Sequence, residues 1–284
     1  FILLKNKVNI LSHRRLFKNR SIKVIGWIPD LQNKVYPNFF SKISLKKREN
    51  YIHNEIKNSD KIFVSSDQIK KEFKKYYKIQ KNVIPLKMVL ELSKKKNEIN
   101  KKKRFIYFPS QFWVHKNHII ILKAIKELKK KGIEIQFVFS GNKRDYRSID
   151  HFEKLKRKIT ELGVKKEVKI LSNINDRKKF FLQSSSLAMI NPSYYEGWST
   201  INEEARSLNK FIFLSNISGH IEQKNAGSIY FSKNNYKDLA RKIEKFLKQK
   251  IYFNENKLLT KNKLYINLQR KKSLYEIEKV YKRT

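Results

Sequence analysis

The sequence predicts an α/β protein built from two doubly wound parallel sheets, the first of them incomplete. Three observations carry that prediction. Short β-branched or aromatic runs alternate with helical stretches along most of the chain. The segment SKKKNEINKKK, Ser93 to Lys103, is polar, charged and without apolar periodicity, so it reads as an exposed linker between two such alternations. Leu122, Ile125 and Leu128 recur at helical spacing, which gives their helix one apolar face to lay on a sheet.

Taken in order, Lys23 to Trp27 (KVIGW) is a β-branched run closed by Pro29 and Asp30, a buried strand that ends in a loop. A helix over Lys46 to Ser59, a strand over Lys61 to Ser65, a helix over Gln68 to Tyr77 and a strand over Asn82 to Pro85 follow, the pattern of the second half of an open α/β domain. Beyond the linker the reading is strand Arg104 to Phe108, helix Asn117 to Lys131, strand Ile133 to Ser140 and helix Ser148 to Leu162. It continues with strand Glu167 to Leu171, helix Asp176 to Ser184, strand Ser186 to Ile190, helix Thr200 to Leu208 and strand Phe211 to Leu214. The tail from Asn254 carries Leu258, Leu259, Tyr265, Ile266, Leu268, Leu274, Tyr275, Ile277 and Tyr281, expected on one long or broken amphipathic helix as core-packing residues. The expected organisation is a partial domain over 1–92, a linker over 93–103, a second domain over 104–248 and a helical tail over 249–284. Because the chain opens on Phe1 inside an apolar stretch, part of the first domain is expected to be missing.

Composition supports globular folding: 284 residues suffice for two cores, and 40% are hydrophobic and 13% aromatic. A net charge of +41, from 66 Lys and Arg against 25 Asp and Glu, ordinarily signals nucleic acid or an anionic membrane. Here lysine is enriched everywhere, and no basic helix or aromatic sheet motif accompanies it, so nucleic acid is not expected as a partner. Peripheral contact with an anionic membrane stays compatible with the charge. The absence of cysteine removes disulfides and thiolate metal sites and fits a reducing compartment. No apolar run approaches the ~18–20 residues that span a bilayer. A cytoplasmic protein, touching at most the inner face of the plasma membrane, is the expectation.

Open α/β sheets bind ligands at the carboxyl ends of their strands. After the strand ending near Ile190 comes NPSYYEGWST, in which Gly197 permits close backbone approach and Ser199 and Thr200 can open a helix. Amide donors at a helix start suit phosphate. Thr200 and Glu203 stand in the T-x-x-E relation of a capping box, which assigns Glu203 to the cap. Glu196 and Glu204, with seven residues between them, are left as the pair for chemistry. No Asp-x-Asp occurs, so neither a metal nor a cofactor is expected.

The Glu196 to Glu204 spacing resembles the donor site of glycosyltransferase family 4, which holds a Glu, seven residues and a second Glu. Phe105 to Leu122 (FIYFPSQFWVHKNHIIIL) is similar to the first strand, donor loop and helix of that family's C-terminal domain. Leu214 to Tyr230 (LSNISGHIEQKNAGSIY), with His220 and Glu222, looks like its next strand and loop. Gly26 to Phe40 resembles a segment in the N-terminal domain of a bacterial envelope-polysaccharide subgroup.

The resemblance implies a GT-B architecture of two Rossmann-like domains facing a cleft, with the nucleotide held mainly by the C-terminal one. It also implies a retaining, metal-independent hexosyl transfer, of mannosyl type by subgroup, from a UDP- or GDP-linked sugar to a glycan or lipid-linked acceptor of a cell-surface polysaccharide. Carried over by position, Glu204 meets the ribose hydroxyls, Glu196 sits near the transferred sugar, and Lys116 neutralises the diphosphate leaving group. A cation is disfavoured at a helix start, which argues for such a role at Lys116. Gly141, following Ser140, and Asn173 match contacts to nucleotide and base. Gly197, Trp198, Ser199, Thr200, Gln111 and His115 complete the donor set, and His118 stands with His115 as a residue that orients phosphate or caps the helix.

Two positions depart from the pattern. Gln111 stands where the family often has a second basic residue, and Asn33 where the subgroup often has a histidine after Asp-x-Gln. They keep open a degenerate nucleotide-binding protein without turnover, and another GT-B enzyme such as a nucleotide-sugar epimerase is the remaining alternative.

Overall fold

A computed structural model describes residues 10–12, 22–79, 82–92, 104–145 and 147–282, so the expected linker, Ser93 to Lys103, lies outside the described residues. It divides into two compact units. The first takes the chain to Val89 together with Glu196–Trp198 and the chain from Asn267, and the second takes Leu90–Tyr195 and Ser199–Ile266.

The first unit holds a four-stranded sheet, all parallel, with β1 (Ile10–Ser12), β2 (Lys23–Ile28), β3 (Lys61–Val64) and β4 (Val83–Pro85) in chain order across it. Between β2 and β3 run the short helix α1 (Gln32–Val35), a single 3-10 turn and α2 (Lys42–Asn58). Helix α2 starts ahead of the expected Lys46 because the Ser41 hydroxyl accepts the Ser44 N–H at 3.2 Å and supplies the cap. Ser66 does the same for α3 (Asp67–Tyr77).

The second unit holds six parallel strands, β5 (Phe105–Pro109), β6 (Gln136–Ser140), β7 (Val168–Leu171), β8 (Ala188–Asn191), β9 (Ile212–Ser215) and β10 (Ser228–Phe231). Their spatial order is β10-β9-β8-β5-β6-β7, the Rossmann arrangement, in which chain direction across the sheet reverses between β5 and β8. The helices are α4 (His118–Lys130), α5 (His151–Glu161), α6 (Asp176–Ser185), α7 (Thr200–Ser207), α8 (Ser218–Glu222) and α9 (Tyr236–Lys248). Phe108, Phe139, Phe213 and Phe246 are buried in one continuous core, and the Phe213 and Phe246 rings meet edge to face at 5.3 Å.

Strand β6 begins at Gln136 rather than at Ile133 because the end of α4 consumes the intervening backbone. Gly132, at φ +67°, and Ile133 donate back to Lys129 O and Leu128 O, so Ile133 has no N–H left for the ladder. α8, β10 and α9 are the elements of this unit that the sequence alone does not identify.

The tail forms one helix, α10 (Asn256–Lys282). Leu258, Ile266 and Val280 are buried, but Leu259, Leu268, Leu274 and Tyr275 are 52%, 51%, 58% and 62% exposed, contrary to the expected core packing. Apolar residues spread around a helix cannot all face one partner, since successive residues turn by about 100°. The Tyr281 side chain lies outside the described residues. Among the described residues, no helix is long and apolar enough to cross a membrane.

Candidate active site

The loops that leave β5 and β8, at the reversal of the second sheet, are tied together. The Tyr194 N–H donates to His115 O at 2.9 Å, and Asn117 Nδ2 donates to Pro192 O and Lys233 O, both at 3.2 Å. Asn117 sits at φ +53°, a left-handed conformation that asparagine tolerates, and so separates the 3-10 turn Val114–Lys116 from α4. Lys116 is the last residue of that turn and is half-buried.

A buried ion pair underpins this turn. Asp145 accepts the N–H groups of Val114 (3.2 Å) and Arg147 (3.1 Å) and pairs with Arg147 Nε at 2.9 Å, the two side chains being 1% and 2% exposed. Arginine can only donate, so its Nη2, 3.0 Å from His115 Nδ1, makes that nitrogen an acceptor and holds the ring in the Nε2–H tautomer. The guanidinium also lies 4.5 Å from the centre of the Trp113 ring. Gly141 lies against the same loop: a Cβ there would overlap the Ser110 carbonyl, so glycine lets the loops after β5 and β6 touch, and the Phe112 N–H donates to Asn142 O at 3.0 Å. Gln111 is exposed beside it.

His118 neither orients a phosphate nor caps α4. Its ring is fully buried, 4.7 Å from the Phe108 ring and 4.8 Å from that of Phe112, with neither nitrogen partnered. Burial holds the imidazole well below its usual pKa, and the charges of His151 and Lys116 push the same way.

Beneath the loop after β8, Asn191 is wholly buried and fully used. Its Nδ2 donates to Ser199 Oγ (2.9 Å) and His220 Nε2 (3.2 Å), and its Oδ1 accepts from Ser193 Oγ (2.7 Å). His220 Nδ1 then donates to Ser215 O at 3.0 Å. Ser199 caps α7 by accepting the Asn202 N–H at 3.2 Å, while Thr200 is the first helical residue and exposed. The expected capping box between Thr200 and Glu203 therefore does not form. Glu203 turns inward instead, because the buried Arg206 one turn on donates to it at 2.5 and 2.7 Å and Gln223 Nε2 at 2.8 Å. Burial pushes the Glu203 carboxyl up, with Arg206 and Gln223 pulling against it.

Glu204, the neighbour of Glu203, is 8% exposed and faces α6, where Lys179 Nζ donates to Oε1 at 2.5 Å and Gln183 Nε2 to Oε2 at 2.6 Å. Asn173 is exposed just past the carboxyl end of the edge strand β7.

Glu196, Gly197 and Trp198 group with the first unit. A Cβ on Gly197 would overlap the Pro29 carbonyl, so only glycine fits, and Trp198 Nε1 donates to Met88 O at 2.7 Å. Asn33 is 4% exposed and serves as a strut: it donates to Glu49 at 3.2 Å and accepts from Arg48 Nε at 3.1 Å, while Arg48 also pairs with Asp30. Among the described residues, no three His, Asp or Glu side chains are grouped to hold a metal.

The sequence reading does not identify Asp145, Arg147, Lys179, Gln183, Asn191 or Gln223. Only Asn191, the last residue of β8, carries a local signal; the others bind loops and side chains from 17 to 32 positions away.

Residues 90–263 match the family described as glycosyl transferases group 1. No curated protein sequence matches the chain. In structure it is similar to a glycosyltransferase from Rickettsia africae ESF-5, at 18% identity and a TM-score of 0.70, covering 100% of this chain and 79% of that one. It is similar also to sucrose-phosphate synthase from Thermosynechococcus elongatus, at 12% identity and a TM-score of 0.75 over 99% and 75% of the two chains. Anabaena HepE, crystallised in complex with UDP-glucose, matches at 14% identity and a TM-score of 0.72 over 91% and 72%. These likenesses establish the GT-B fold. The family match spans more than half of the sequence, so the chain belongs to the glycosyl transferases group 1 family.

Proposed function

We propose that the chain transfers a hexose from a UDP- or GDP-linked sugar to a glycan or lipid-linked acceptor in cell-surface polysaccharide assembly, with retention of configuration and without a metal. One observation carries the reading: the Lys116 turn and the start of α7 follow β5 and β8, the two strands that flank the reversal of the sheet. Negative charge gathers on the diphosphate as the glycosidic bond breaks, and the Lys116 ammonium opposes it. The N–H groups of Thr200 and Ile201, which the Ser199 cap leaves over, add helix-start donors for phosphate.

Glu204 is assigned to the ribose. An ionised carboxylate has about four acceptor sites. Lys179 and Gln183 take two of them, which leaves two for a pair of hydroxyls. Gly141 and Asn173 are assigned to the nucleotide and base, and Glu196 to the transferred sugar on its spacing from Glu204. HepE was crystallised with UDP-glucose, which makes a UDP-linked donor the first to try.

The test is calorimetric titration of the full chain with UDP and with GDP, repeated on Lys116→Ala and Glu204→Ala, followed by product analysis with UDP-glucose and GDP-mannose. Saturable binding of one nucleotide, weakened by both substitutions, together with transfer of its sugar, is the expected result. Binding indifferent to both substitutions sinks the donor-site assignment. A second reading, nucleotide binding without turnover, is favoured by the exposed, uncharged Gln111, which adds no cation to the diphosphate. It predicts tight nucleotide binding with neither transfer nor hydrolysis, while an epimerised donor among the products marks the third alternative.

A further inference from the structure

Some lysines on the helices of this chain are matched by an acid one turn away, as in Lys130 with Glu127, Lys156 with Glu153, Lys158 with Glu161 and Lys248 with Glu244. In one region lysines from several elements converge on a single hollow. In the first unit a cavity of about 650 Å³ runs along β4, the edge strand of the sheet, between α3 and the last turns of α10. Six lysines line it, Lys23, Lys61, Lys70, Lys87, Lys272 and Lys279, against two carboxylates, Asp67 and Glu276.

Three of these amines are held against the wall: Lys23 Nζ donates to Val280 O at 3.3 Å, Lys61 Nζ to Asn82 Oδ1 at 2.7 Å, and Lys87 Nζ pairs with Asp67 at 2.6 Å. Lys70, Lys272 and Lys279 come from two different helices and find no partner among the described residues. Lys23, Lys61 and Val83 are the first residues of their strands, so the cavity reaches the amino ends of β2, β3 and β4, the edge opposite to where ligands of open α/β sheets bind. The donor-site reading leaves it unused.

We propose that this cavity is a second anion site, which takes the phosphoryl group of a phosphate ester or diphosphate. Clustered ammonium groups are donors only, and several of them converging on one volume favour an occupant with several anionic oxygens. The volume lies within the ~300–1,000 Å³ of small-ligand sites, more than a lone phosphate fills. What surrounds it favours the headgroup of an anionic lipid over a free phosphate compound. Tyr275 lines the cavity and is 62% exposed, and Leu268, two turns away on the same side of the helix, is 51% exposed, an apolar fringe at the rim of a basic hollow.

Because lysine is abundant everywhere, the test separates position from total charge. A cavity variant, Lys70→Gln with Lys272→Gln and Lys279→Gln, is compared with a control carrying Lys154→Gln, Lys165→Gln and Lys169→Gln, three exposed lysines of the second unit. Both lose the same charge, and circular dichroism melts verify folding. The full chain is sedimented with vesicles of phosphatidylcholine, with or without phosphatidylglycerol, and titrated separately with inorganic pyrophosphate.

The cavity variant is expected to weaken binding to the anionic vesicles roughly 100-fold, from about fivefold per lysine near an anionic surface. The control is expected to change it by less than about twofold. A selective loss seen with pyrophosphate and not with vesicles keeps the site and assigns it to a soluble phosphate compound. Equal losses in the two variants, or no binding of either probe by the unaltered chain, overturn the proposal. Nucleotide binding by the cavity variant stays unchanged, so failure here and failure of the donor-site reading are told apart.

Discussion

The turn that carries Lys116 and the lysine-lined cavity both suit anions, yet they are built in opposite ways. The turn presents few cations on a backbone set from below: Asp145 and Arg147 are buried beneath it, Arg147 fixes the His115 tautomer, and Asn117 anchors it to the loop after β8. The cavity gathers six lysines on long stems, three held against its wall and three without partners among the described residues. A pre-set cation acts at close range on charge that develops during a reaction, where it costs no reorganisation. A cluster of mobile ammonium groups raises the local concentration of anions, and salt screens that attraction. On the two proposals, the first arrangement suits chemistry and the second suits attraction.

The comparison breaks hardest at Arg147. Arg147→Met leaves the Asp145 carboxylate buried without its cation, and the expected cost is ~3–5 kcal/mol of stability, read from urea unfolding, with nucleotide affinity falling alongside. A cost below ~1 kcal/mol, within the range of an exposed pair, would mean that the pair does not hold the turn.

Lys116→Ala is expected to lower the transfer rate at saturating donor by ~10²–10³ while leaving the urea midpoint in place, whereas the cavity variant leaves that rate unchanged. A rate loss shared by the two variants would erase the distinction between the regions.

His118 gives a smaller effect with a defined pH dependence. Its folded pKa is lowered by burial, so the unfolded chain binds the extra proton. Stability from this group is complete above the unfolded value of ~6.5 and is lost as pH falls below it, at up to about 1.4 kcal/mol per pH unit. His118→Leu is expected to stabilise the fold by ~1–2 kcal/mol at neutral pH, since two unpartnered buried nitrogens disappear, and to flatten the acid limb. Melting curves at pH 7.5 and 5.5 check both; an unchanged acid limb in the variant refutes the assignment.

The smallest effect belongs to the cavity itself. Replacing Lys70, Lys272 and Lys279 by glutamine is expected to move stability by no more than ~0.5 kcal/mol, because lysines that are exposed or half-buried and without partners contribute little to folding.

Much of the fold was legible because its signals are local. The runs at Lys23, Lys61 and Phe105 became β2, β3 and β5 with shifts of a residue or so, and the periodic Leu122, Ile125 and Leu128 lie buried on α4. Where the reading strayed, a hydrogen bond outside the pattern decided the outcome. Ser41 started α2 early, and Ile133 was spent on the end of α4.

By itself the sequence determined the alternation of strands and helices and the stretch from Asn191 to Thr200 at a strand's carboxyl end. Tertiary structure alone decided that Glu203 meets Arg206 while Glu204, one step round the helix, meets Lys179 and Gln183. It also decided which apolar residues of α10 face solvent and that lysines from residue 23 to residue 279 line one cavity. The physical reason is range. Backbone periodicity and caps are set by residues a few positions apart, whereas the partner of a carboxylate or an ammonium group is chosen by the packing of segments that the chain order keeps far apart.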